Sequence, residues 1–200
     1  MLRKSITVGA LAGLASGVFA VPTIHFTANV TDAVPGDTVT WTVSVTGLND
    51  GPFQDYLQGY DFNIIASHPT LGIASTFSDG LDPVLNPTPG TAAGFSILGV
   101  SGGQSSIVNF PGIVFGNVIL GTFTVHIQSS GTLSYTIADG GVFALTDVLQ
   151  VKNFFNGGDQ GPDVWNGQPL VVSDTVYFYP SPASFAPLAL AGLAACRRRR

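Results

Sequence analysis

Glutamate is absent from this 200-residue chain, and all twelve acidic residues are aspartates, from Asp32 to Asp174. A glycosidase-type carboxylate pair would therefore have to be two aspartates, and no spacing singles out such a pair. Cysteine occurs once, as Cys196 near the C-terminus. The residues before it thus hold no disulfide and no cysteine-based metal site, and Cys196 itself reads as a small apolar residue of the tail. Basic residues are scarce and displaced. Six of the seven, Arg3, Lys4 and Arg197 to Arg200, sit at the chain ends, which leaves Lys152 alone in the middle. One lysine against twelve aspartates gives residues 21–179 a net charge of −11. That excludes a nucleic-acid interface, which needs clustered Lys and Arg. It also excludes adhesion to anionic lipid through a basic patch. Such self-repulsion favours solubility and suits media rich in salt or divalent cations. The middle of the chain has almost no helical periodicity, no HExxH helix, no nucleophile elbow and no phosphate-binding glycine loop.

The two ends carry sorting information. Met1-Leu2-Arg3-Lys4 is a short basic region, Ser5 to Phe19 is apolar and uncharged, and Val18-Phe19-Ala20 ends in a small residue. This predicts a signal peptide over residues 1–20, cleaved between Ala20 and Val21. At the other end Pro180-Ser181-Pro182 is followed by the fourteen-residue apolar run Ala183 to Cys196 and then Arg197, Arg198, Arg199 and Arg200. As a helix that run is about 21 Å long, short of the ~30 Å hydrocarbon core. Pro187 interrupts it, and the arginines hold its end in the cytoplasm. A short span with a strong cytoplasmic stop suits transient membrane insertion. The arrangement resembles the PEP-CTERM sorting signal of exopolysaccharide-producing bacteria, with Ser181 where that signal usually carries Glu. The resemblance implies processing by an exosortase-like membrane protease and delivery to the cell envelope, cell surface or extracellular matrix.

Between the ends the pattern is all-β. Val39, Trp41, Val43 and Val45 alternate with Thr38, Thr40, Thr42, Ser44 and Thr46, the period of a half-buried strand. Trp41 therefore belongs to the core. A second strand is expected over Asn117 to Gln128, with Ile119, Phe123, Val125 and Ile127 on its apolar face. Leu133, Tyr135 and Ile137 alternate with hydroxyl residues after the turn Ser129-Ser130-Gly131, and Asp139-Gly140-Gly141 is a hairpin signal before a strand over Val142 to Val151. Weaker strands are expected over Thr23 to Thr31, Gly59 to Ala66, Gly94 to Val100, Ser105 to Phe110 and Leu170 to Tyr179, with one short turn within Pro69 to Phe77. Asn49 to Gln58, Ser78 to Thr91 and Asn153 to Gln168 read as long loops. The prediction is one antiparallel β-sandwich over residues 21–179, of jelly-roll type, flanked by an N-terminal signal helix and a C-terminal hydrophobic sorting helix.

Val34-Pro35-Gly36-Asp37-Thr38-Val39-Thr40-Trp41-Thr42-Val43 resembles the opening of cohesin-like domains, a superfamily of carbohydrate-binding and adhesion modules. Gly59-Tyr60-Asp61-Phe62-Asn63-Ile64 and Gly121-Thr122-Phe123-Thr124-Val125 are similar to later strands of that group. The resemblance implies a fold and leaves the function to the site.

Three sets of residues are candidates for chemistry. Phe53, Tyr56 and Trp165 lie in expected loops, where aromatic rings either stack on sugars or cap the sandwich edge. Asn156, Asp159 and Asp163 lie in a Gly-rich loop and offer the oxygen ligands calcium takes, as does Asn49-Asp50-Gly51 with Asp55. Asp and Asn beside Gly are also ordinary turn formers. His25 and His126 fall on the polar faces of their strands, and His68 is the third histidine. No cofactor is expected beyond that calcium. The leading expectation is an exported, non-enzymatic protein of the envelope or matrix with a structural or adhesive role. The alternatives are a carbohydrate-binding module for matrix polysaccharide and an Asp-dependent glycan hydrolase.

Overall fold

The computed structural model describes residues 21–49, 54–81, 84–105, 112–141, 148–154 and 163–180. The strands are β1 (Thr23–Ala28), β2 (Asp32–Ala33), β3 (Thr38–Thr46), β4 (Asp55–Ala66), β5 (Gly72–Ala74), β6 (Ser78–Asp79), β7 (Leu85–Ala93), β8 (Ser96–Gly103), β9 (Val118–Ile127), β10 (Gly131–Leu133), β11 (Tyr135–Asp139), β12 (Leu149–Asn153), β13 (Asp163–Gly167), β14 (Leu170–Ser173) and β15 (Val176–Phe178). One sheet, here sheet I, runs β14-β1-β3-β9-β5, with β6 also on β9. Sheet II runs β13-β12-β4-β8-β7, with β11 also on β4. A small sheet runs β10-β15-β2. Among the described residues no helix is long and apolar enough to cross a membrane. The signal peptide through Ala20 and the sorting segment from Ser181 onward lie outside the described residues, whereas Val21 and Pro180 are exposed at the two ends of the domain.

Alternation carries through to the core. In β3, Val39, Trp41, Val43 and Val45 are at most 1% exposed and the intervening residues are not buried. Trp41 stacks on Phe123, with ring centres 6.5 Å apart, and meets the edge of Tyr135 at 4.8 Å. Tyr135 belongs to sheet II but packs on three rings of sheet I, adding Phe123 at 5.0 Å and Phe26 at 5.6 Å. Its hydroxyl donates to the Phe95 carbonyl at 3.0 Å. Burying each large apolar side chain contributes roughly 1.5–3 kcal/mol. One or two of them match the ~2–4 kcal/mol of a disulfide, which is how the domain dispenses with one.

The structure departs from the pattern in four places. The sandwich is not wholly antiparallel, because β1 pairs with β14 and β2 with β15 in parallel. The first two strands thus lie beside the last two, with the chain between them acting as the crossover that parallel pairing requires. In β9 the register shifts so that Val43 faces Gly121 while Ser44 faces Ile119. Leu120 is the extra residue of this bulge, so Leu120 is fully buried and Ile119 is 56% exposed. The segment Ser78 to Thr91 is largely strand, since β6 and β7 occupy it. β7 is an outer strand of sheet II, where Pro87 and Pro89 are tolerated. The segment Leu170 to Tyr179 divides into β14 and β15, which join different sheets. Of the strands expected over Ser105 to Phe110 and Val142 to Val151, most residues lie outside the described ones.

Candidate functional site

Sheet II turns one face to the core and the other outward. On the outer face Gln150 of β12, Gly59 of β4, Gly103 of β8 and Leu85 of β7 stand in one rung. The two central positions have no side chain, so the rung is a trough with a backbone floor. Gly103 has no room for more, because a Cβ there would overlap the Gln58 carbonyl oxygen. Gln58, Asn86, Ser101 and Gln104 line the walls, and the trough encloses about 360 Å³, within the ~300–1,000 Å³ of ordinary ligand sites. The wall is held firmly. The Gln104 backbone N–H donates to the Gln58 carbonyl at 2.8 Å, and its Oε1 accepts from the Val114 N–H at 2.8 Å. Asn86, the second residue of β7, has φ of 48°, a left-handed conformation that Asn adopts more readily than most residues.

The lining therefore consists of amides, hydroxyls, glycine backbone and one leucine. These groups donate and accept hydrogen bonds without ionising near neutral pH, so the trough suits binding of an uncharged, hydrogen-bonding chain rather than proton transfer.

No family model and no curated protein matches the sequence. Solved structures match the fold. The Coh-OlpC structure, a type I cohesin–dockerin complex from Clostridium thermocellum, aligns at 11% identity and a TM-score of 0.53, covering 80% of this chain and 94% of that one. The Coh-OlpA structure, another type I cohesin–dockerin complex from the same organism, aligns at 14% identity and a TM-score of 0.51, covering 78% and 99%. The domain is a cohesin-like β-sandwich.

Within that cohesin-like frame the residues singled out from sequence scatter. Tyr56 is not an exposed loop aromatic. It lies in β4, which begins at Asp55, and it is fully buried with its ring edge-on to Phe115 at 6.2 Å. Phe115 in turn meets Phe154 at 5.5 Å, so these rings form an aromatic plug at the end of sheet II. Trp165 is likewise on a strand, β13, opposite Val151, and packs partly buried against the core. Strand pairing, invisible in local composition, converted both from candidate platforms into packing. Phe53 lies outside the described residues.

Asn156 and Asp159 also lie outside them. Asp163 sits opposite Lys152 in the β12–β13 ladder, with Nζ 3.6 Å from Oδ1. Asp55 is buried, accepts from Asn153 Nδ2 at 2.9 Å and from the Asn49 N–H at 3.2 Å, and so closes the loop it borders. Asp50 and Gly51 are outside the described residues. Among the described residues no three His, Cys or Asp side chains gather into a metal-ligand set. The histidines are apart: His25 Nε2 bonds Thr46 Oγ1 at 2.8 Å, His68 Nδ1 bonds the Ser67 carbonyl at 2.7 Å, and His126 is exposed on β9.

Sequence reading missed the trough. Ser101-Gly102-Gly103-Gln104 looks like a turn between two strands, yet β8 runs through Gly103. A glycine pair inside a strand does signal close backbone approach, and that was the available clue.

Proposed function

We propose that this chain is an exported, non-enzymatic module of the bacterial cell envelope or extracellular matrix, with a structural or adhesive role. Its cohesin-like sandwich holds an extended segment of a protein partner in the trough on sheet II. One observation carries this reading: the trough is a preformed recess whose lining makes hydrogen bonds but offers no ionising side chain for catalysis. That lining contains no aspartate, so an Asp-dependent hydrolase receives no support from it. The fold adds support, because the two solved cohesins compared above are in complexes with dockerins. The charge of −11 on residues 21–179 favours a partner that is neutral or basic.

Export runs through the signal peptide, with cleavage between Ala20 and Val21. The tail then inserts transiently, and an exosortase-like membrane protease processes it at the Pro180-Ser181-Pro182 segment ahead of Arg197 to Arg200. Intact-mass measurement on protein recovered from the native cell surface tests this half. A mass lacking both ends is expected, and a full-length chain in the cytosol refutes it. Retention tests the other half. Filling the trough by Ser101→Trp with Gln150→Ala should release the processed domain into the medium, whereas unchanged retention refutes the trough as the docking surface. The second reading, binding of matrix polysaccharide, is favoured by a different surface.

A further inference from the structure

The small three-stranded sheet presents an aromatic surface that the trough does not use. Thr132 of β10, Tyr177 of β15 and Asp32 of β2 form one rung. The β15 residues on either side of Tyr177, Val176 and Phe178, are 0% and 3% exposed and face the interior. Alternation therefore turns Tyr177 and Tyr179 outward together, and they are 48% and 55% exposed. Two residues along a strand separates their Cα atoms by roughly 6.5–7 Å. The backbone under them is fixed, since the Tyr177 N–H donates to the Thr31 carbonyl at 2.9 Å and the Tyr179 N–H to the Ala33 carbonyl at 3.0 Å. Asp32 stands beside Tyr177 at the β2 end of the rung. Its Oδ2 accepts from Thr31 Oγ1 at 2.9 Å. The Asp32 charge nearby raises the pKa of the Tyr179 hydroxyl above the usual tyrosine value. The strand fixes Tyr179 at its base through the backbone bond to Ala33.

We propose that Tyr177 and Tyr179, with Asp32 and Thr132 beside them, form a stacking site for an uncharged polysaccharide. Exposed aromatic rings on a rigid strand offer flat apolar faces to the C–H faces of pyranose rings. A carboxylate and a hydroxyl at the same level accept and donate hydrogen bonds to the sugar hydroxyls. A protein-docking patch is less suited to this surface. Among the described residues, those in the rung with Tyr177 are Thr132 and Asp32, both polar and exposed. The charge of −11 on residues 21–179 excludes a polyanionic chain. The site is on a different sheet from the trough and stands independently of the protein-partner reading.

Affinity electrophoresis and calorimetry of the protein recovered from cells test the site, with a soluble glucan, a galactomannan and the polyanion alginate as probes. At least one neutral polymer should bind and alginate should not. Tyr177→Ala and Tyr179→Ala should each weaken binding about fivefold to tenfold, and the double variant should abolish it, with melting curves showing that the exposed substitutions leave the fold intact. Binding by neither neutral polymer, binding undiminished in the double variant, or equal binding of alginate overturns the proposal. Loss of sugar binding on Gln150→Ala with the tyrosines intact also overturns it, by moving the sugar to the trough. Failure here leaves the retention test of the trough untouched, so the two readings fail separately.

Discussion

Tyr135→Phe isolates one hydroxyl at the joint between the two sheets. Tyr135 is 4% exposed, its ring lies among Phe26, Trp41 and Phe123, and its hydroxyl donates to the carbonyl of fully buried Phe95 at 3.0 Å. The substitution keeps the ring contacts and removes that donor from the buried carbonyl. A lost hydrogen bond costs about 0.5–1.5 kcal/mol, and a stranded buried acceptor about 1–3 kcal/mol. The expected loss at pH 7 is therefore about 1–3 kcal/mol. For a domain of this size that lowers Tm by roughly 2–4 °C per kcal/mol. Burial also raises the hydroxyl's pKa far above its usual value of 10.0. In the native state Tyr135 stays protonated while the unfolded chain ionises above pH 10, so this residue's contribution to stability declines as pH rises beyond that value. The decline is about 1.4 kcal/mol per pH unit once the unfolded tyrosine is ionised. Tyr135→Phe lacks this dependence, so the gap between wild type and variant should narrow by about 1 kcal/mol between pH 9 and pH 11. Urea unfolding followed by near-ultraviolet circular dichroism at a series of pH values measures it. A gap that is absent at pH 7, or that stays constant up to pH 11, refutes the assignment.

Three further outcomes follow from the same geometry. Leu120→Ala should cost about 2–5 kcal/mol and Ile119→Thr less than about 0.5 kcal/mol, because the β9 bulge buries one and exposes the other; similar costs for both would mean that the bulge is misplaced. Asp79 is partly desolvated while accepting from the Tyr60 hydroxyl and the Leu81 N–H, and burial raises its pKa above 3.8. Its contribution to stability is thus largest when protonated and falls as pH rises from about 3.8 through its higher native value; Asp79→Asn should flatten that part of the acid stability profile, and an unchanged slope would contradict it. Gly103→Ala should destabilise by about 1–3 kcal/mol through overlap with the Gln58 carbonyl, read from thermal melts, whereas an unchanged Tm would show that the trough floor yields.

The strands that were legible from composition are those whose alternation is uninterrupted. β3 was read with its bounds and its inward face, Trp41 included, because side-chain direction in a strand depends only on position along it. The same rule failed in β9, where one extra residue at Leu120 reverses the direction of everything before it. The Pro-Gly-Asp turn and the two short segments similar to cohesin strands pointed to the correct fold. They carried no information about the trough, whose lining comes from β4, β7, β8 and β12, strands brought together only by pairing. Tyr56 and Trp165 were chosen for lying among polar and Gly-rich neighbours in the chain. Their neighbours in space are Phe115 and Val151, and these decide exposure.

Charge sign, lack of a disulfide before Cys196 and all-β character are sums or local patterns along the chain, so composition and order were sufficient to establish them. Which aromatic rings meet solvent is a different matter. Tyr177 and Tyr179 were read only as part of a final strand, and they face outward because β15 lies between β10 and β2 with Val176 and Phe178 turned to the core. Pairing between distant segments sets that orientation, and the energy that selects it is the burial of the opposite face, a quantity that exists only once the chain has folded.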